Sequence, residues 1–387
     1  MIKKNKVLIL ISTVVIVIIA AFGIYKISNK SDDSNKDTKS SIVKIFAGSG
    51  KIGTADGKDL EASFNLPYSL ALDKDTGILV VDSYNNKIRK IKDGNVTTIA
   101  GYSDKVDSFG LPKGGYVDGL ISIAKFNRPR AAVVDSKGNV FVSDTGNNVI
   151  RKISNGIVYT FAGNVDKGYQ DGKGTQAKFN NPSGLAIDSK NNIYVADTFN
   201  NVIRKITPEG EVTTIAGKFN IKGDFKNGKS SESLFNEPED VGLDSKGTIY
   251  VLDTGNQLVR KITSGKVSTL AGKRGSIMPS TDYAEGSFKD GTGSKAKFNF
   301  PKGFYATSQG VVFVADTWNQ KIRVITPSGK VTTIAGSGTA GNKLSTQMTA
   351  EFNGPNSVLY NNGVLYLSDM RNNELKSFTI DLNNYIK

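Results

Sequence analysis

The 387-residue chain contains no histidine and no cysteine. Those absences exclude Ser-His-Asp and Cys-His nucleophilic systems, histidine acid/base catalysis and ordinary zinc sites. Lipid attachment through cysteine is excluded too. Disulfides are absent, which does not contradict export, because a chain of this size can bury a sufficient core. Any catalysis would have to use carboxylates, lysine, tyrosine or a hard metal ion. Proline (10) and tryptophan (1) are scarce. Acidic residues are outnumbered, 36 against 50 Lys and Arg, for a net charge of +14. The plainer account of that excess is a solvated surface plus a cation repeated for structural reasons. The functional account is attraction to anionic wall polymers or lipid head groups outside a cell.

One unit, 179 to 217 (FNNPSGLAIDSKNNIYVADTFNNVIRKITPEGEVTTIAG), organises what is there. LAID and IYVA are short apolar runs joined by the turn-forming residues 189 to 192, which reads as a hairpin. Asp197 to Asn200 is an Asx-rich turn, VIRKI gives a third strand, and VTTIA a fourth after the turn at 208 to 210. Nothing in the unit has a helical period. The Asp that closes the second strand recurs at Asp82, Asp144, Asp197, Asp253, Asp316 and Asp369, at intervals of 62, 53, 56, 63 and 53 residues. A period of this size with four antiparallel strands per repeat predicts an all-β, six-bladed β-propeller. The sixth copy ends without a fourth strand, whereas VKIFAG (43 to 48) stands alone before the first copy. This N-terminal strand is therefore expected to complete the last blade and leave no open sheet edge. A basic pair follows an apolar third-strand residue as Arg89-Lys90, Arg151-Lys152, Arg204-Lys205 and Arg260-Lys261, with Arg323 and Lys376 at the matching places in the last two copies, and this cation is expected to be glue between blades.

The F-N-x-P start, the YVADT-x-N-x-x-I-R-K-I core and the D-G before the Phe (Asp56-Gly57, Asp118-Gly119, Asp171-Gly172, Asp290-Gly291) resemble bacterial NHL-repeat β-propellers from 43 to 387. The resemblance implies a fold used by sensor domains, by protein- and RNA-binding platforms and by a few lyases or lactonases. The histidines of the family's lyases have no counterpart here.

Ahead of the repeats, residues 1 to 6 hold three lysines and 7 to 25 form a 19-residue uncharged apolar run. At about 1.5 Å per residue this run covers roughly 28 Å, close to a bilayer's hydrocarbon core. It is expected to be one transmembrane signal-anchor, leaving residues 1–6 as a short cytoplasmic tail and the propeller outside the cell; a cleaved signal peptide is the alternative. Residues 26–42 read as a polar tether.

Candidate binding residues follow from the geometry of a propeller. The links from blade to blade are 15 to 17 residues long except for 102–125 and 273–297, which lead into blades two and five, on opposite sides of the ring. Such insertions on one face mark a binding face. The third residue of the Asp-Ser/Thr-x-Asn turn on that face is Tyr84, Phe199 and Trp318 in blades one, three and five, and Tyr102, Tyr116 and Tyr283 lie in the links. These rings either cover their own blades or form an aromatic platform for a glycan or protein. After each blade's proline, Tyr68, Arg130, Glu239, Asp240, Lys302 and Asn356 are expected around the channel mouth. Glu237, Glu239 and Asp240 could offer hard oxygen ligands to Ca²⁺; otherwise they pair with Arg130 and Lys302. The repeated turn Asp and Asn are expected to be structural.

The function expected from these features is a membrane-anchored extracytoplasmic module that binds, scaffolds or senses an envelope protein or wall glycan. Two alternatives stand beside it: a carboxylate-based, possibly Ca²⁺-dependent enzyme acting on a wall sugar, lactone or peptide, and a structural propeller that only self-associates. A nucleic-acid partner is not expected for an exported domain.

Overall fold

The computed structural model describes residues 41–386, apart from positions 76 and 221. The expected anchor at 7–25 and nearly all of the tether lie outside these residues. Among the described residues no helix is long and apolar enough to cross a membrane.

Each repeat forms one antiparallel sheet, and there are six. In blade three the strands are Pro182–Ile187, Ile193–Asp197, Val202–Ile206 and Glu211–Ala216, hydrogen-bonded in chain order. Their Val, Ile and Tyr content suits a pleated surface buried on both sides. Five of the six sheets carry a fifth, two-residue strand that four strands per blade did not anticipate. In blade three it is Gly172–Lys173, paired outside the fourth strand. Gly172 of the D-G pair adopts φ +148, a conformation open to glycine and strained for other residues. In the sixth sheet, Pro355–Asn361, Val364–Asp369 and Glu374–Thr379 are followed outward by Lys44–Ala47, with Lys44 opposite Ser377 and Ala47 opposite Leu375.

The repeated cation acts inside each blade, not between blades. Arg204 is fully buried; it donates to Asp197 Oδ2 (2.7 Å), Asp171 Oδ1 (2.7 Å) and the carbonyls of Lys178 and Gln170. It thereby ties the third strand to the turn Asp and to the incoming link. Its guanidinium also lies 5.0 Å from the ring centre of Phe179, the core aromatic of the blade. Arg89, Arg151, Arg260, Arg323 and Lys376 pair with the corresponding Asp in their own blades. Burial pushes Asp82, Asp144 and Asp197 up to about 6 against the pull of the paired arginines.

Adjacent blades are joined by another polar residue and by the apolar core. The last residue of each turn is left-handed and lends its side-chain oxygen to the next blade: Asn86 accepts from the Arg128 N–H (2.7 Å), Asn201 from Glu237 (2.7 Å) and Gln257 from Phe300 (2.6 Å). Asn373 closes the ring by accepting from the Leu66 N–H of blade one (3.0 Å). The receiving residue always precedes the blade's proline and has positive φ, including Arg128 (+48), Glu237 (+45) and Phe300 (+44). Pre-proline residues prefer extended backbone, so this conformation is held by its surroundings. Leu79 and Val81 of blade one pack with Phe126, Ala132 and Val142 of blade two. At the seam, Leu359 and Leu375 meet Ala47, Phe64 and Leu70.

Candidate functional site

The six residues expected at the channel mouth do come together, lining one narrow passage on the ring axis with about 20 Å³ of free volume, room for roughly one water. Strand irregularities just after the prolines, such as that between Pro182 and Leu185, turn these residues inward. The blades approach so closely here that a Cβ on Gly184 would stand 2.5 Å from the Asp240 backbone.

Glu239 is the hub. Its side chain is 4% exposed; Oε1 accepts from Lys302 Nζ (2.6 Å), and Oε2 accepts from Tyr68 Oη (3.1 Å), Arg130 (3.2 Å) and Ser183 Oγ (3.3 Å). Blade four is thereby joined to blades one, two, three and five, and Asn356 of blade six adds a bond to the Tyr68 carbonyl (2.8 Å). Burial alone would raise the Glu239 carboxyl, but Lys302 and Arg130 hold it down at about 2. Asp240 beside it goes the other way: burial pushes it up to about 7, although the Phe304 and Val241 N–H groups donate to its oxygens. Two carboxyls with opposed shifts resemble an acid/base pair, but the passage has no room for a substrate. These groups form a plug.

Of the two readings of Glu237, Glu239 and Asp240, a Ca²⁺ site or pairing with Arg130 and Lys302, the geometry at Glu239 matches the pairing. Glu239 has both oxygens engaged by cations and hydroxyls, Asp240 faces backbone N–H groups, and Glu237 Oε1 accepts from Tyr283 Oη (2.7 Å). The three carboxylates do not converge, and among the described residues no cluster of three acidic side chains is arranged to hold a metal.

The aromatic candidates separate into different settings. Tyr84, Phe199 and Trp318 occupy equivalent turns, anchored by N–H donation to Asn65, Asn180 and Asn299. Phe199 is 42% and Trp318 54% exposed. Trp318 packs on Phe300 (4.7 Å between centroids), and Phe300 meets Tyr283 edge-on (5.6 Å). Tyr84 lies under Arg128, whose guanidinium is 4.8 Å from the ring centre. Tyr102 is exposed beside Lys125. Tyr116, also exposed, lays its ring against the buried clamp Arg151, and its hydroxyl bonds Thr160 (2.7 Å) at the blade's outer strand. Tyr169, Phe225 and Phe288 do the same at Arg204, Arg260 and Arg323, which marks a structural position.

What sequence reasoning missed is the open site. A cleft of about 490 Å³ runs across the turn face of blades one and two, bordered by Tyr68, Tyr84, Arg128, Arg130, Thr145 and, from blade six, Met370. A second hollow of about 240 Å³ adjoins it and shares Tyr84, Asn127 and Arg128. Its wall is the long link: a hairpin from Val106 to Pro112 is pinned by Asp107, whose Oδ1 accepts from the N–H groups of Phe109 and Leu111, and Asn86 holds the Pro112 carbonyl. The second long link reaches the same face, since Ala284 N–H bonds the Gly255 carbonyl in the turn of blade four. The residues before the prolines, Arg128 and Phe300, carried the missed signal, because attention to the residues after each proline passed over them.

Comparison with known proteins places these repeats. The family model for the NHL repeat matches residues 179–205 and 235–262. A chloroplastic protein of Arabidopsis thaliana, SUPPRESSOR OF QUENCHING 1, is 29% identical over 84% of this chain and 33% of its own length. Human NHL repeat-containing protein 2 is 28% identical over 62% of this chain and 44% of its own length. The chain thus spans between a third and a half of these relatives. Among solved structures, an auxiliary nutrient binding protein from Bacteroides thetaiotaomicron superposes with a TM-score of 0.64 at 15% identity, covering 87% of this chain and 76% of that one. The chain carries NHL repeats folded as the blades of a six-bladed β-propeller.

Proposed function

We propose that the protein works by binding, through the face that carries the turns between second and third strands and both long links. One observation supports this above others: the axial passage is plugged by the Glu239 hub, whereas the cleft of about 490 Å³ on that face is open and flanked by aromatic side chains. Ligand sites have volumes of roughly 300 to 1,000 Å³ with a few placed polar groups. With the apolar run at 7–25 as an anchor, the propeller would stand outside the cell and take an envelope protein or a wall glycan.

The test is crosslinking of the full-length protein in cells, with both attached proteins and attached wall polymer identified by mass spectrometry. The comparison is a triple variant, Tyr84→Ala, Phe199→Ala, Trp318→Ala. We expect capture by the wild type, loss of capture in the variant, and melting temperatures within a few degrees of each other. Equal capture by both, or none by the wild type, would contradict the assignment of the face.

A further inference from the structure

We propose that the cleft over blades one and two is an oxyanion site that takes an acidic saccharide, a sugar chain bearing carboxylate or phosphate groups; this rests on the binding reading above and specifies its ligand. Arg128 and Arg130, two residues apart in blade two, both line the cleft, and no Asp or Glu does. Each guanidinium is stacked on a tyrosine of blade one, Arg128 on Tyr84 (4.8 Å) and Arg130 on Tyr68 (5.2 Å). Stacking fixes the plane of the guanidinium and leaves its edge, where the N–H donors are, free to point at a ligand.

The two arginines differ in what already occupies them. Arg130 gives one bond to Glu239, which also accepts from Lys302, so part of its donor fork is already engaged in the hub. Arg128 is exposed, and no carboxylate pairs with it among the described residues. Its left-handed backbone (φ +48) is pinned by Asn86, which places the side chain over Tyr84 by construction and not by chance. A neutral or apolar ligand would cover this guanidinium without pairing it, a cost that an oxyanion removes. A cation finds no partner in the cleft. The fork of donors matches carboxylate and phosphate oxygens two at a time.

The remaining lining favours a hydroxylated body for that anion. Asn127 and Asn181 bring amide groups to the lining, against only Leu66 and Met370 as aliphatic residues; Ser83 and Thr145 border it but are buried, with the Thr145 hydroxyl donated to the Pro182 carbonyl. The pinned hairpin extends the same groove, where Lys113 stands with Asp107, whose Oδ1 is already taken by the N–H groups of Phe109 and Leu111. A chain of sugars with anions at intervals fits such an elongated polar groove.

Calorimetric titration of the full-length protein tests this with three probes: oligogalacturonate for the carboxylate source, phosphorylated maltohexaose for the phosphate source, and maltohexaose as the neutral control. One or both acidic probes should bind, the neutral one should not, and affinity should fall as salt is raised. Whichever acidic probe binds more tightly identifies the source. Arg128→Gln should weaken that binding tenfold or more with the melting temperature unchanged. Arg130→Lys keeps the charge that the hub requires but loses the fork, and should weaken binding by a similar factor. The inference is overturned if maltohexaose binds as tightly as the acidic probes, if Arg128→Gln binds like wild type, or if a poly-aspartate peptide binds as tightly with the same dependence on Arg128. If no acidic probe binds while cellular capture persists and still depends on Tyr84, Phe199 and Trp318, the anion assignment fails and the binding face survives. Loss of cellular capture as well would remove both.

Discussion

Glu239 shows how a single side chain can convert a channel into a plug. Removing a partner from a buried, fully paired charge costs about 3 to 5 kcal/mol, because the groups left behind stay desolvated. Its carboxyl sits at about 2 in the fold against an ordinary 4.5, so the stability it contributes is fully present above pH 4.5 and is lost as pH falls towards 2. The difference corresponds to roughly 3 kcal/mol. Asp240 has the opposite sign: the fold favours its protonated form, so its contribution is greatest below about pH 4 and fades as pH rises through about 7. Denaturant unfolding measured from pH 2 to pH 8 should therefore show Glu239→Gln less stable than wild type at pH 7, with the gap narrowing as pH falls from 4.5 towards 2. Asp240→Asn should change its stability relative to wild type between pH 4 and 7 instead. An acid slope in Glu239→Gln equal to the wild type's would contradict this account of the hub. The pairing with Arg130 and Lys302 was one of two readings the sequence allowed. The choice between it and a metal site needed three-dimensional placement, since three acidic residues within four positions look alike in sequence whether or not their oxygens converge.

At the level of elements, the blade was legible because each of its parts has a local cause. The β-branched runs, the Asx turns and the spacing of the Asp residues mark four strands in each of the first five repeats and three in the sixth, and blade three has its strands at the expected places. The fifth strand was hidden because two residues are too short to show a period, although the D-G pair that builds it was visible. The repeated arginine was seen but given the wrong role, since contact between a third strand and an incoming link more than twenty residues away leaves no pattern in sequence. Lys44–Ala47 forms the outer strand of the sixth sheet, with Val43 and Ala47 buried. Deleting 43 to 48 removes that ladder and opens the seam where Ala47 meets Phe64 and Leu375. A ring whose blades depend on both neighbours should lose stability as a whole. We expect one cooperative transition lowered by on the order of 10 °C, read by calorimetry. An unchanged melting curve would show that the strand contributes nothing to closure.

The whole molecule divides its two ends of the axis unequally in purpose. The turn face carries both long links, exposed Phe199 and Trp318, and the arginine-lined cleft, while hairpin turns such as Asp135 to Asn139 on the other side are closed by their own side chains, with Asp135 accepting from Lys137 and Asn139. Sequence indicated which face to examine, through link lengths and turn residues. It did not indicate the cleft, because Tyr84, Arg128 and Met370 belong to three blades and only ring closure brings blade six beside blade one. The most direct measurement of the binding assignment is hydrogen–deuterium exchange on the full-length protein, with and without the partner or polymer that it captures. Protection should concentrate at 83–86, 106–112 and 127–131. Protection confined to the opposite turns, around 73–77 and 135–139, would place the binding face on the wrong side of the ring.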